Sequence, residues 1–249
     1  MMRMPDSTLD RRIAHLWYVF PDAVRDPALL GAYQQLLSPE ERVQQQRFYF
    51  AAGRHEYLVT RALVRTVLSR YVEVNPSIWR FKKNAYGKPA IAYPREIPPL
   101  TFNLAHTSGL IVCLVALGRD IGVDVEDITR PGEIVEIAEQ FFSPTEVAGL
   151  RALPPHAQRS RFFEYWTLKE AYIKARGLGL TLPLEQFSFH LEAGHPIRVA
   201  FAPCLLDDPR GWQFAQFQPT SRHQMATAIR HGTNAALTIL PHYTIPLVS

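Results

Sequence analysis

Cysteine is nearly absent from this chain: there are two, Cys113 and Cys204, in 249 residues. That excludes a disulfide-stapled scaffold and a Cys/His zinc cluster. With Cys113 inside the apolar run Leu110-Ile111-Val112-Cys113-Leu114-Val115, the pair reads as two reduced structural thiols. Long hydrophobic runs are missing as well. The longest, Leu110 to Leu117, is far short of a membrane span. After the N-terminal arginines, Ile13-Ala14-His15-Leu16-Trp17-Tyr18-Val19-Phe20 lacks the clean core and cleavage site of a signal peptide. The expectation is a cytoplasmic protein with no membrane partner. Neither charge sign is in large excess: 27 Lys and Arg stand against 23 Asp and Glu. The mild positive balance permits anionic partners, and without a Lys/Arg run it does not support nucleic-acid binding. Glycine fingerprints of the P-loop and Rossmann kinds are absent, as is the Gly-x-Ser-x-Gly elbow of a Ser-His-Asp hydrolase.

What is present is an ordinary core, 47% hydrophobic, and a pattern stated twice. Ser38-Pro39-Glu40-Glu41 and Ser143-Pro144-Thr145-Glu146 are both capping boxes, with Ser at N-cap, Pro at the first helical position and Glu at N3, each following an apolar pair. Each is followed by a longer amphipathic helix, predicted over Arg54 to Tyr71 and Ala157 to Arg176. Val59, Leu63, Val67 and Tyr71, with Val64 and Leu68, form the buried stripe of the first; Phe162, Phe163, Trp166 and Ile173 form that of the second. Strand-like segments surround them without a regular βαβ alternation, which predicts an α+β fold. We read two similar α+β subdomains, 1–118 and 119–249, meeting near Gly118-Arg119-Asp120, a pseudo-dimer with its site in the cleft between the halves.

The most informative stretch is Ile121-Gly122-Val123-Asp124-Val125-Glu126. In a strand, side chains alternate faces, so Asp124 and Glu126 share one side while Val123 and Val125 enter a core. In Trp166-Thr167-Leu168-Lys169-Glu170-Ala171-Tyr172-Ile173-Lys174 the helical period gathers Trp166, Glu170, Ile173 and Lys174. Three carboxylates converging from a strand and a helix suit a hard cation, and a lysine one turn from Glu170 suits a phosphate beside it. Lys88, in the turn Tyr86-Gly87-Lys88-Pro89, is a candidate phosphate ligand. So is His106, in the polar cluster Asn103-Leu104-Ala105-His106-Thr107-Ser108 between two apolar strands, and Arg61 on the first long helix. Glu146 is first a capping residue that could reach the metal region through water.

Together these motifs, with Arg47-Phe48-Tyr49 and Gly177-Leu178-Gly179-Leu180, resemble the Sfp-type 4′-phosphopantetheinyl transferases over about Ser38 to Phe189. The resemblance implies that coenzyme A is the co-substrate and that a serine of an acyl or peptidyl carrier protein accepts 4′-phosphopantetheine, leaving adenosine 3′,5′-bisphosphate. By position it implies Mg²⁺, or Mn²⁺, on Asp124, Glu126 and Glu170. Arg61, Lys88, His106 and Lys169 would hold coenzyme A, with Lys174 at the pyrophosphate. Asp124, Glu170 and Lys174 would form the catalytic set, Glu170 taking the serine proton. A monomer is expected, since the second half supplies what a partner subunit otherwise would. The chain departs from the family at Ala105, where Ser or Thr is usual, and at Glu41 and Gln44, where some relatives carry lysines. The segment Thr129 to Phe142 is a candidate carrier-docking face, although Glu133, Glu136 and Glu139 make it acidic. Two rival readings are a non-catalytic binding module for coenzyme A and carrier protein, and a metal-dependent phosphohydrolase.

Overall fold

The computed structural model describes residues 10–132, 134–232 and 235–248, with the side chain of Leu180 left aside; Glu133 of the candidate docking face lies outside the described residues. The described residues form two compact units. One takes those up to Ala85, Pro89–Gly118 and those from Leu237 onward; the other takes Tyr86–Lys88 and Arg119–Ala236.

In chain order the first unit contains β1 (Ile13–Val19), α1 (Pro27–Leu36), α2 (Pro39–Gln46), α3 (Ala51–Leu68), β2 (Arg80–Lys83), β3 (Pro89–Tyr93), β4 (Leu100–Thr107) and β5 (Leu110–Leu117). The second contains β6 (Ile121–Asp127), α4 (Ile134–Phe141), α5 (Pro144–Arg151), α6 (Pro155–Arg176), β7 (Phe187–His190), β8 (Arg198–Phe201), β9 (Trp212–Thr220) and β10 (His223–Arg230). One plan is used twice. In each unit the last strand pairs antiparallel with both the first strand and the strand before it, β1-β5-β4 and β6-β10-β9, and the two middle strands form a hairpin of their own.

The repeated helices start for repeated reasons. Ser38 accepts from the Glu41 backbone N–H while Glu41 bonds back to the Ser38 N–H, and Ser143 and Glu146 do the same. Pro39 and Pro144, lacking an N–H, sit in first turns where that donor has no helical partner. The long helices bury most of the predicted stripes, Val59, Leu63, Val64, Val67 and Leu68 on α3 and Phe162, Phe163 and Ile173 on α6, while Trp166 is only partly buried and Tyr71 is buried past the end of α3. Every residue of β5 is buried, which is why it reads as an unbroken apolar run.

β11 (Thr238–Tyr243) corrects the expected division. Instead of completing the second half, it pairs in parallel with β1, from Ile13↔Thr238 to Tyr18↔Tyr243. Tyr33 then donates to the Pro246 carbonyl and Arg70 to Thr244 Oγ1. Without it the outer edge of β1 would present unpaired backbone groups, so the returning chain caps a sheet edge. Residues 86–88, expected in the first half, belong to the second unit. Among the described residues no helix is long and apolar enough to cross a membrane.

Candidate active site

In the second unit the site begins with a glycine. A Cβ built on Gly122 would lie 2.0 Å from the Ala171 carbonyl oxygen and 2.5 Å from the Ala175 nitrogen, so only glycine lets the backbones of β6 and α6 come this close. Gly122, Asp124 and Glu126 share one strand face, the one turned toward α6 at Gly122 and Asp124. Gly122 is against Ala171 and Ala175, and Asp124 is paired with Lys174. Val123 and Val125 on the other face are buried.

Lys174 Nζ lies 2.7 Å from Asp124 Oδ1. The second oxygen, Asp124 Oδ2, is buried and has no hydrogen-bond partner among the described residues. Burial and then the Asp124 charge push the Glu170 carboxyl up to about 7, with Glu126 adding to the rise and Lys174 opposing it. Glu126 is raised by burial and then by Asp124, against Arg130, Trp166 and Lys174. Among the described residues no three His, Cys, Asp or Glu side chains are gathered tightly enough to hold a metal ion as they stand. Nevertheless, two carboxyls with raised proton affinity, Glu170 and Glu126, beside Asp124 with its orphaned buried oxygen, form an acceptor set in want of positive charge. Their all-oxygen chemistry fits a hard divalent cation.

The structure corrects the role expected of Lys169. Its ammonium is fully buried, paired with Glu146 Oε2 at 2.7 Å and donating to the Leu184 and Phe187 carbonyls at 2.8 and 2.6 Å. It faces the core side of α6. Glu146 is equally committed, to the Ser143 N–H, the Phe189 N–H and Lys169, so it does not serve the metal region. The first unit contains the same device: Glu41, its capping glutamate, pairs with the fully buried Arg65 at 2.6 Å, and Arg65 donates to the Pro76 and Trp79 carbonyls. This paired motif was not read from the sequence. The signal was there, a cation on each long helix after each capping glutamate.

The other candidates have internal partners. Lys88 donates to the Ala175 carbonyl at 2.7 Å and the Ile121 carbonyl at 3.2 Å, joining the end of α6 to the start of β6, and burial lowers its pKa against the pull of Asp120. In the first unit, Arg61 pairs with Glu41 and lies over the Phe81 ring, 4.8 Å from its centroid. His106 Nδ1 is 2.5 Å from Glu56 Oε1, with more than half of its side chain exposed. Burial disfavours the Glu41 charge, but Arg61, the Ser38 N–H and Arg65 outweigh it and the pKa is lowered. The structure thus brings Asp124, Glu126, Glu170 and Lys174 together in one unit and places Arg61 and His106, each with a carboxylate, in the other.

Two family models match the chain. The 4′-phosphopantetheinyl transferase superfamily matches residues 120–229, and the 4′-phosphopantetheinyl transferase N-terminal model matches residues 27–117. The 4′-phosphopantetheinyl transferase HetI of Nostoc sp. is 32% identical over 225 residues, covering 90% of this chain and 91% of the relative. The 4′-phosphopantetheinyl transferase Sfp of Bacillus subtilis is 35% identical over 178 residues, 70% of this chain and 77% of its own. The holo-(acyl-carrier-protein) synthase of Helicobacter pylori, solved with coenzyme A, is 18% identical with a TM-score of 0.36, over 43% of this chain and 96% of that one, too slight a likeness to bear on the site. This chain belongs to the 4′-phosphopantetheinyl transferase superfamily.

Proposed function

We propose that the protein transfers 4′-phosphopantetheine from coenzyme A to a serine of an acyl or peptidyl carrier protein, releasing adenosine 3′,5′-bisphosphate. The observation that carries this reading is the convergence of Asp124, Glu126 and Glu170 beside Lys174, in a chain of this family. Asp124, Glu126 and Glu170 would hold Mg²⁺ or Mn²⁺, which supplies charge neutralisation on the coenzyme A pyrophosphate. Lys174 sets its ammonium on the same face and stabilises the charge that grows on the leaving bisphosphate. The serine oxygen forms a bond to the β-phosphorus as the bond to the bridging oxygen breaks, and that oxygen departs with its electron pair. Glu170 accepts the serine proton. Its raised proton affinity suits that task, though a bound cation lowers it.

Arg61 and His106 would take coenzyme A phosphate oxygens in exchange for Glu41 and Glu56, and Lys88 would take a phosphate oxygen in exchange for a backbone carbonyl. Lys169 is left out of this set because it is enclosed. Two unbonded cysteines, one buried and one exposed, suit a reducing cytoplasm. Two copies of one plan in a single chain suit a monomer, and no nucleic acid or membrane takes part. The reading is tested by following adenosine 3′,5′-bisphosphate from coenzyme A with and without apo carrier protein. Release only with the carrier supports transfer. Release without it would replace transfer by hydrolysis, and none in either case would favour a binding module.

A further inference from the structure

The strand that carries Asp124 and Glu126 leads into a turn that is tied down at almost every residue. Asp127 Oδ1 accepts from the Thr129 N–H at 2.9 Å and from Thr129 Oγ1 at 2.6 Å, and the Ile128 N–H donates to the Arg222 carbonyl at 2.9 Å. The carbonyls that follow converge on one guanidinium of α6. Arg159 Nε donates to the Ile128 carbonyl at 2.6 Å, and its two Nη groups donate to the carbonyls of Arg130 and of Gly132, the latter at 3.4 Å. A planar fork of fixed donors suits three carbonyls as a point ammonium does not. From this clamped turn the Arg130 side chain returns to the strand, its Nε 3.4 Å from Glu126 Oε2. The guanidiniums of Arg130 and Arg159 both lie against the buried Phe163 ring, 5.2 and 5.3 Å from its centroid. An ion pair on a protein surface is ordinarily worth little, because two long side chains must be ordered to make it. Here the turn and the ring have already ordered one of them.

We propose that Arg130 sets the affinity of the site for its divalent cation by competing for Glu126, and that Arg159 is the positioning residue that holds Arg130 there. An ion that draws on Glu126 Oε2 displaces a guanidinium from it, as one that draws on Asp124 Oδ1 displaces the Lys174 ammonium. With two of the three carboxylates so engaged, the protein alone is a weak cage, and the ion is well held only where phosphate oxygens complete its shell. Neither arginine touches the reacting atoms in this role. The inference rests on the metal reading above and concerns affinity for the cation, not the transfer step.

The test uses the full chain and Mn²⁺ alone, titrated into the millimolar range, with free Mn²⁺ read by electron paramagnetic resonance. Arg130→Gln is expected to bind Mn²⁺ about fivefold more tightly than wild type, the scale of one exposed ion pair, with the melting temperature within about two degrees of wild type. Arg159→Lys keeps the charge and loses the fork. It should tighten binding by a smaller factor, and it should add nothing once Arg130→Gln is present. A merely structural Arg159 would lower the melting temperature in both backgrounds and leave the Mn²⁺ affinity unmoved. Arg130→Gln binding Mn²⁺ no more tightly than wild type would overturn the inference while leaving the metal reading intact. Equal tightening by Arg159→Lys in both backgrounds, or none in either, would overturn the part given to Arg159. No Mn²⁺ binding by wild type or by Arg130→Gln would overturn the inference and the metal reading together.

Discussion

Lys169 and Lys174 lie on one helix, one on either side of Glu170, and have opposite fates. Lys174 reaches Asp124 at the site, while Lys169 is sealed in the core with Glu146. Helical period placed Lys174 beside Glu170, while Lys169 was put with coenzyme A only by the family resemblance, and period does not show how deep a long side chain ends. Removing one partner of a buried pair leaves an uncompensated charge, so Lys169→Met should cost about 3–5 kcal/mol in a urea titration, and Lys169→Met with Glu146→Gln should recover most of it. Loss of activity at unchanged stability would mean instead that Lys169 acts on substrate. Glu170 should behave in the opposite way. Its carboxyl is raised from 4.5 to about 7, so the folded state keeps a proton that the unfolded chain releases. That contribution is complete below pH 4.5 and lost as pH rises through about 7. In EDTA, Glu170→Gln should therefore be more stable than wild type at pH 8 by on the order of 1–2 kcal/mol and equal to it at pH 4. The same variant should lose turnover while folded. Near-normal carrier modification by it would remove Glu170 from the reaction as base and as ligand.

At the scale of elements, β6 and α6 were legible in outline: alternation put Asp124 and Glu126 on one face, and helical period gathered Trp166, Glu170 and Lys174. What was not legible was the contact that brings them together. Gly122 and the small residues Ala171 and Ala175 meet only in the fold, and a glycine in a strand has several ordinary explanations. Gly122→Ala drives a methyl into helix backbone that cannot move aside. We expect a loss of at least about 3 kcal/mol, seen as a lowered melting temperature or no soluble protein, whereas Gly31→Ala, with nothing within 4 Å, should be tolerated. The return of β11 was also hidden, since its pairing spans nearly the whole chain and has no local signal. It brings His242 Nε2 within 3.1 Å of His15 Nδ1, near Trp17 and Tyr71, with Arg70 over the Trp17 ring. Burial, then His242, lowers His15 from 6.5 to about 4, so the neutral ring is favoured in the fold and stability is lost as pH falls from 6.5 toward 4. Protection factors for amide exchange in Thr238–Tyr243, corrected for the intrinsic rate at each pH, should fall over that window, and His15→Gln should flatten the change.

The whole molecule is a repeated plan, and the repeat of Ser-Pro-x-Glu was enough to announce it. Both capping glutamates close an N-terminus and anchor a buried cation on the following long helix, Arg65 in one unit and Lys169 in the other. Only the second unit puts carboxylates on its first strand. At the corresponding place the first has Trp17, Tyr71 and Arg70, so one copy of the plan is chemical and the other is not. The measurement that tests the account most directly is intact-protein mass spectrometry of an apo acyl carrier protein and an apo peptidyl carrier protein, each incubated with this protein, coenzyme A and Mg²⁺. The account predicts a gain of one phosphopantetheine on at least one carrier, abolished by EDTA and by Asp124→Ala. No gain on either carrier, with coenzyme A bound to the protein, would contradict it.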